Sequence, residues 1–201
     1  MTARNALMLA GTGMLSEVAQ VLAGDGWRVV LPCRRYSPLP APEELISASA
    51  PPGRASHARP DAFPDPGKAV WVEAHWDRPR ELARKTEKVL TAPAGLLVAW
   101  VHETYRRSVL GAVEPLLASA APVVEVRALA DLGRIPDEPD PLLVGHPTQQ
   151  VLLGSVSEQD PRRPLAHDEI VDGVLVAVRR ALAGRHSSLH QVGQRRGLPV
   201  R

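Results

Sequence analysis

Three small residues, Gly11-Thr12-Gly13, stand between an apolar run, Ala6-Leu7-Met8-Leu9-Ala10, and a segment in which Met14, Val18, Val21 and Leu22 recur at three- and four-residue spacing. The pattern reads as strand, tight turn, helix. Orphan N–H groups and the dipole at a helix N-terminus attract an anion, and glycine lets the backbone approach one closely. A dinucleotide pyrophosphate is such an anion, and a side chain at Gly13 would block it. Gly11, Thr12, Gly13, Met14 and Leu15 are thus the candidate pyrophosphate loop. The run is GTGMLS, with Ser16 where GxGxxG has its third glycine. Serine is small enough for helix–strand packing, and the competing reading is an ordinary turn.

The next β-rich run, Trp27–Leu31, would carry a carboxylate at its end if it held the ribose 2′-OH of NAD. Instead it leads into Cys33-Arg34-Arg35. Two guanidiniums offer forked, charged donors suited to a 2′-phosphate. Arg34 and Arg35 therefore favour NADP(H) over NAD(H), with a solvated basic turn as the plain alternative. A third group of candidates follows the most apolar run, Leu96–Val101, which His102 closes. Imidazole titrates near neutrality and suits a proton donor. Tyr105 shares its side if Glu103 begins a helix. The alternative for His102 is a hydrogen-bonded loop anchor. His146 is a weaker candidate, and His167-Asp168-Glu169 reads as the acidic opening of a helix. Of the seven histidines only His186 and His190 stand in HxxxH spacing and none stands in HExxH, so no metal site is expected.

The elements that must position these groups alternate. Strands are predicted at 6–10, 27–31, 69–73, 96–101, 123–126 and 149–157. Helices are predicted after Gly13, over 78–90 with an ion pair between Glu81 and Lys85, over 103–120 with Pro115 bending or dividing it, and over 165–183. Asp77 is expected to cap the second of these, with the corner that faces the adenine as the other job open to it, and Gly184 to stop the last. Residues 37–67 hold many of the 20 prolines and read as a Pro-rich insertion. Residues 184–201 are basic and patternless and read as a flexible tail, leaving 1–183 as one nucleotide-binding domain.

Composition agrees with one α/β unit. The 201 residues are 44% hydrophobic but only 3% aromatic, so the core must be Leu, Val and Ala. A single cysteine rules out an intrachain disulfide and fits a cytoplasmic setting. A formal charge of +2 with scattered arginines speaks against nucleic acid, and no apolar run is long enough to cross a membrane.

Six strands alternating with helices predict a Rossmann-like, doubly wound parallel sheet, order 3-2-1-4-5-6, with helices on both faces and right-handed crossovers. Ligands should bind where strands one and four diverge, at residues 11–15 and 100–105, which adds Trp100 to the cofactor-binding set. The chain resembles a short, divergent bacterial member of the short-chain dehydrogenase/reductase superfamily. Small bacterial members open with a GGTGML-type loop, carry a VAWIH-like fourth strand and end in a G…THEEI…GV segment. The matching residues are Ala10–Leu15, Val98–His102, and Gly154 with Ala166–Glu169 and Gly173-Val174. The superfamily's Tyr-x-x-x-Lys pair has no counterpart, since Tyr36 is followed by Pro40 and Tyr105 by Val109. The resemblance implies an NADP(H)-dependent oxidoreductase acting on a small carbonyl or imine, with His102 or Tyr105 transferring the proton. The missing pair leaves a catalytically inactive dinucleotide-binding sensor or regulatory protein as the alternative. The expected partners are a small-molecule substrate and, as a further option, a second copy of the chain.

Overall fold

The computed structural model describes residues 4–9, 13–34 and 68–195. Gly11, Thr12, Arg35, the Pro-rich 37–67 and residues 196–201 lie outside the described residues. Seven parallel strands form one sheet, in the order β3-β2-β1-β4-β5-β6-β7. They are β1 (Asn5–Leu9), β2 (Arg28–Cys33), β3 (Ala69–Glu73), β4 (Leu96–Ala99), β5 (Val123–Ala128), β6 (Thr148–Leu153) and β7 (Ser188–Val192). The helices are α1 (Ser16–Gly24), α2 (Pro79–Glu87), α3 (Glu103–Val113) and α4 (His167–Leu182). The order is the expected one with a strand added at its end.

The central strands read as continuous apolar runs because both of their faces are covered. Every residue of β1 and β4 is buried. Alternate side chains serve opposite layers. Ala6 and Met8 of β1, with Leu96 and Val98 of β4, pack against Val18 and Leu22 of α1 and Val174 and Val178 of α4. Leu7, Leu9 and Leu97 face Leu82 of α2 and Val109, Leu110 and Val113 of α3. The register Leu7↔Leu97 and Leu9↔Ala99 holds β1 and β4 together at the point where the chain order reverses. Their carboxyl ends open toward α1 on one side and α3 on the other.

Several elements differ from the sequence reading. Residues 188–192 do not belong to a patternless tail: they pair with β6 from Gln149↔Ser188 to Leu153↔Val192. This strand is polar because it satisfies buried polar partners. Ser188 donates to Gln149 Oε1 at 2.6 Å, and His190 Nε2 lies 2.8 Å from the same oxygen. Glycine makes room for it, because a Cβ at Gly154 would lie 2.4 Å from the backbone nitrogen of Gln194, and one at Gly173 would lie 2.3 Å from Val192 Cγ2. β6 ends at Leu153 rather than 157. The helix after β4 gives way at Val113 to a 3-10 turn containing Pro115, which divides it as expected. Gly184 does take the left-handed conformation that stops α4, with φ of 66°.

Between β5 and β6 the chain has no α-helix, and the sequence reading places none there. Residues 129–147, all described, form a short 3-10 turn, Leu129–Asp131, and irregular chain. A small cluster of Leu129, Leu132 and Leu152, with Leu189 packed on it, covers the sheet there. Arg195, just beyond β7, donates to the carbonyls of Leu129 and Leu132 and clamps the turn.

Candidate functional site

A cleft of about 470 Å³ opens beyond the carboxyl ends of β2, β3 and β4, lined by Arg34, His75, Trp76, Asp77, His102, Thr104 and Tyr105. Each lining residue directly follows a strand or opens a helix. Arg34 comes one position after β2, His75 to Asp77 leave β3, and His102 to Tyr105 form the junction of β4 and α3. The cleft thus brings Arg34 together with two candidates far along the chain from it, His102 and Tyr105.

His102 is the N-cap of α3, with φ −55° and ψ 139°, and its Nδ1 accepts from the amide of Thr104 at 3.3 Å. An accepting Nδ1 carries no proton, so in this arrangement the proton resides on Nε2. The backbone carbonyl of His102 accepts from Tyr105 N at 2.9 Å and Arg106 N at 3.1 Å, which starts the helix. Tyr105 is half-buried, and its ring lies 6.4 Å from that of Trp76 at an interplanar angle of 55°. The tilted pair forms an aromatic wall along one side of the cleft.

Asp77 is exposed and belongs to the cleft rather than to the cap expected for it. The N-cap of α2 is Arg78, with no side-chain cap bond, and Pro79 starts the helix with its fixed φ. The expected Glu81–Lys85 pair is present at 2.9 Å.

The remaining described candidates are not among the residues lining the cleft. Among the described residues nothing lies within 4 Å of a Cβ at Gly13, and its φ is not positive. Neither packing against the described residues nor backbone conformation therefore explains this glycine. Met14 is exposed. Leu15 is fully buried among the apolar side chains under α1, so what it can present to a ligand is its backbone. No side chain caps the α1 N-terminus. Trp100 is half-buried, packs against the same layer, and donates its backbone N–H to Leu9 O at 3.1 Å.

Two histidines read as weaker candidates have structural partners. His146 Nδ1 lies 2.8 Å from Ala121 O. His167 Nε2 lies 3.2 Å from Glu17, linking the first turns of α4 and α1. Nearby, Glu169 accepts from Ser157 at 2.6 Å and from the amide of Ala166 at 2.8 Å, and pairs with Arg163 at 3.0 Å. The Ser157 hydroxyl, then the Ala166 amide and Arg163, hold its carboxyl below the usual range. That knot ties down the connection from β6 to α4.

Sequence reasoning missed the layer directly behind the cleft. Arg106, one residue after Tyr105, is buried, and its guanidinium pairs with the buried Glu125 of β5. The signal was a carboxylate within the apolar run Val123-Val124-Glu125-Val126. A charge there must find a partner.

No family model matches the sequence, and no curated protein matches it. Solved structures do. A 3-oxoacyl-(acyl-carrier protein) reductase from Brucella melitensis aligns over 100% of this chain and 99% of its own, with a TM-score of 0.59 and 11% identity. The TT0495 protein from Thermus thermophilus aligns over 94% and 97%, with a TM-score of 0.56 and 16% identity. An NADH-dependent reductase, A1-R′, complexed with NAD, aligns over 98% of both chains at a TM-score of 0.55 and 12% identity. A short-chain dehydrogenase/reductase described as a glucose/ribitol dehydrogenase, also from Brucella melitensis, aligns over 98% and 97% at 0.54 and 12%. At these identities the likeness is one of architecture. The chain has the fold of the short-chain dehydrogenase/reductase structures.

Proposed function

We propose that this protein is an NADP(H)-dependent oxidoreductase of the short-chain dehydrogenase type, acting on a small carbonyl or imine. The observation that carries this reading is the cleft in which Arg34 meets His102 and Tyr105. It lies beyond the carboxyl ends of strands, where parallel α/β sheets bind ligands, and β4, one of the two strands at the reversal of strand order, borders it. Gly13 supports it, because open space where its Cβ would point suits a backbone that a pyrophosphate approaches. The fold neighbours that are reductases, one of them holding NAD, support the same class.

On this reading the backbone from Gly11 through Thr12, Gly13 and Met14 to Leu15 cradles the pyrophosphate, and Trp100 borders the cofactor. Arg34, with Arg35 next to it in sequence, holds the 2′-phosphate. The nicotinamide, when bound, supplies or accepts the hydride. His102 offers Nε2–H to the substrate oxygen, its Nδ1 being taken by the cap on Thr104. Tyr105 then carries the transferable proton on its phenol. Small-molecule substrate, bacterial cytoplasm and a second copy of the chain as partner belong to the same proposal.

A second reading, a dinucleotide-binding sensor or regulatory protein without turnover, is favoured by one observation. Neither tyrosine has a lysine four residues on, and the β5–β6 crossover has no helix on which to seat another such pair. Titration with NADPH and NADH, followed by nicotinamide fluorescence, tests the first step. NADPH should bind more tightly, and Arg34→Ala with Arg35→Ala should remove most of the preference. A lost charged hydrogen bond costs about 1.5–3 kcal/mol, so about tenfold or more. Equal affinities in the parent would sink the NADP(H) assignment. Tight binding with no oxidation of NADPH across a panel of carbonyls and imines would put the second reading first.

A further inference from the structure

The Arg106–Glu125 pair does not stand alone. Arg106 Nε donates to Glu125 Oε1, and Nη2 donates to Oε2 at 2.8 Å. Glu125 Oε2 also accepts from Gln150 Nε2 of β6 at 2.9 Å. The carbonyl of Asp140, in the helix-free crossover, accepts from that same Gln150 nitrogen at 2.9 Å and from Arg106 Nη2 at 3.2 Å. The loop closes when Asp140 N donates to Gln150 Oε1 at 2.9 Å. On its outer side Arg106 faces Glu103 at 3.9 Å, and Glu103 takes Arg127 at 3.1 Å. The Arg106 and Glu125 side chains are only 7% and 4% exposed.

A buried ion pair is a poor way to stabilise a largely apolar layer. Replacing such a pair by apolar residues of similar volume is often neutral or stabilising. What a planar, two-point guanidinium–carboxylate contact supplies is direction. Here it draws the first turn of α3, which bears His102 and Tyr105, onto β5 and β6. The crossover reaches that side without an α-helix, bringing the Asp140 carbonyl and amide and the side chains of Leu142 and Leu143.

We propose that Arg106 and Glu125 are positioning residues for the cleft: their bidentate pair, tied to the β5–β6 crossover through Gln150 and Asp140, sets the orientation of the His102–Tyr105 turn. The proposal builds on the reading of the cleft as the cofactor site, yet has a readout independent of any ligand. Long-range proton–nitrogen NMR of the His102 ring reports whether Nδ1 accepts and Nε2 carries the proton. The informative variant is the double replacement Arg106→Met with Glu125→Leu, which leaves no unpaired buried charge. It is expected to fold with urea stability near the parent's, to show mixed His102 tautomers as the cap on Thr104 frays, and to bind NADPH roughly 3- to 30-fold more weakly. Arg106→Lys, which keeps the charge but not the fork, should move both readouts in the same direction by less. Parental His102 spectra in both folded variants would overturn the proposal. Should the parent itself bind no NADPH, the cofactor reading falls, and the His102 spectra of the two variants still decide the positioning role.

Discussion

Gly154→Ala tests how tightly the last strand is docked. The added methyl would sit 2.4 Å from Gln194 N, 2.5 Å from Gln194 O and 2.6 Å from the Gly193 carbonyl carbon. All three are backbone atoms, so no side-chain rotation relieves the clash. The segment they belong to is held by Gly154 N to Val192 O at 2.8 Å, Ser155 N to Gln194 O at 2.9 Å, Val156 N to Gln194 O at 3.1 Å, and Gln194 N to Val156 O at 2.8 Å. Overpacking costs about 1–3 kcal/mol. Losing two of these four bonds costs on the order of 1–3 kcal/mol more. The expected destabilisation is therefore about 4 kcal/mol, or roughly 8–16 °C in Tm for a domain of this size. Gly145→Ala is the control, since a Cβ there meets nothing within 4 Å, and it should stay within about 0.5 kcal/mol. Urea unfolding gives the energies, and hydrogen exchange over 188–194 shows whether the loss is local. If Gly154→Ala unfolds where Gly145→Ala does, with exchange over β7 unchanged, the docking argument is wrong.

Three other perturbations probe the site and its frame. Gly13→Val should leave circular dichroism intact, because its side chain enters open space, while abolishing NADPH binding; unchanged binding would reduce the turn to scaffolding. His102→Gln and Tyr105→Phe should keep cofactor affinity within a few fold and slow turnover of a confirmed substrate, up to roughly 10²–10⁴-fold for the proton donor; normal rates in both would place the acid elsewhere. Burial and then the charge of Arg180 hold the His190 imidazole below its ordinary 6.5. The unfolded chain therefore takes up this proton first, and stability should fall as pH drops below about 6.5. His190→Asn should flatten the dependence of Tm on pH in that window, and an unaltered acid slope would assign it to other groups.

The parts of the fold readable from sequence were those whose burial is uniform. β1 and β4 announce themselves as unbroken apolar runs, and α4 as Ile170, Val174 and Val178 repeating at one helical period, because nothing but packing dictates those residues. β7 was hidden for the opposite reason. Its Ser188 and His190 are chosen for the amide of Gln149, a buried polar group forty residues earlier, and polar pairing across such a distance leaves no local period. Gly154 and Gly173 marked the contact surface for this strand, but a glycine does not say what approaches it. At the site, Arg34, His102 and Tyr105 were legible singly, as residues at strand ends. Asp77 was misassigned because an acidic residue just before a helix suits both a cap and a cleft; Pro79, two residues on, starts α2 without it. The Arg106–Glu125 pair needed the tertiary fold, since the sequence shows that Glu125 requires a partner but not that α3 supplies it.

The central pairing of β1 with β4 carries a cost during synthesis. Leu7 meets Leu97 only after some ninety intervening residues have been made, and contacts so distant in sequence are slow to form. Until β4 leaves the ribosome, one edge of β1, with every side chain destined for full burial, has no strand beside it. A chain stalled or truncated before residue 96 therefore exposes a flat apolar strand edge, the kind of surface that recruits other unfinished chains. The demand for chaperone protection should thus peak before β4 appears and fall once the four-strand array β3-β2-β1-β4 can close.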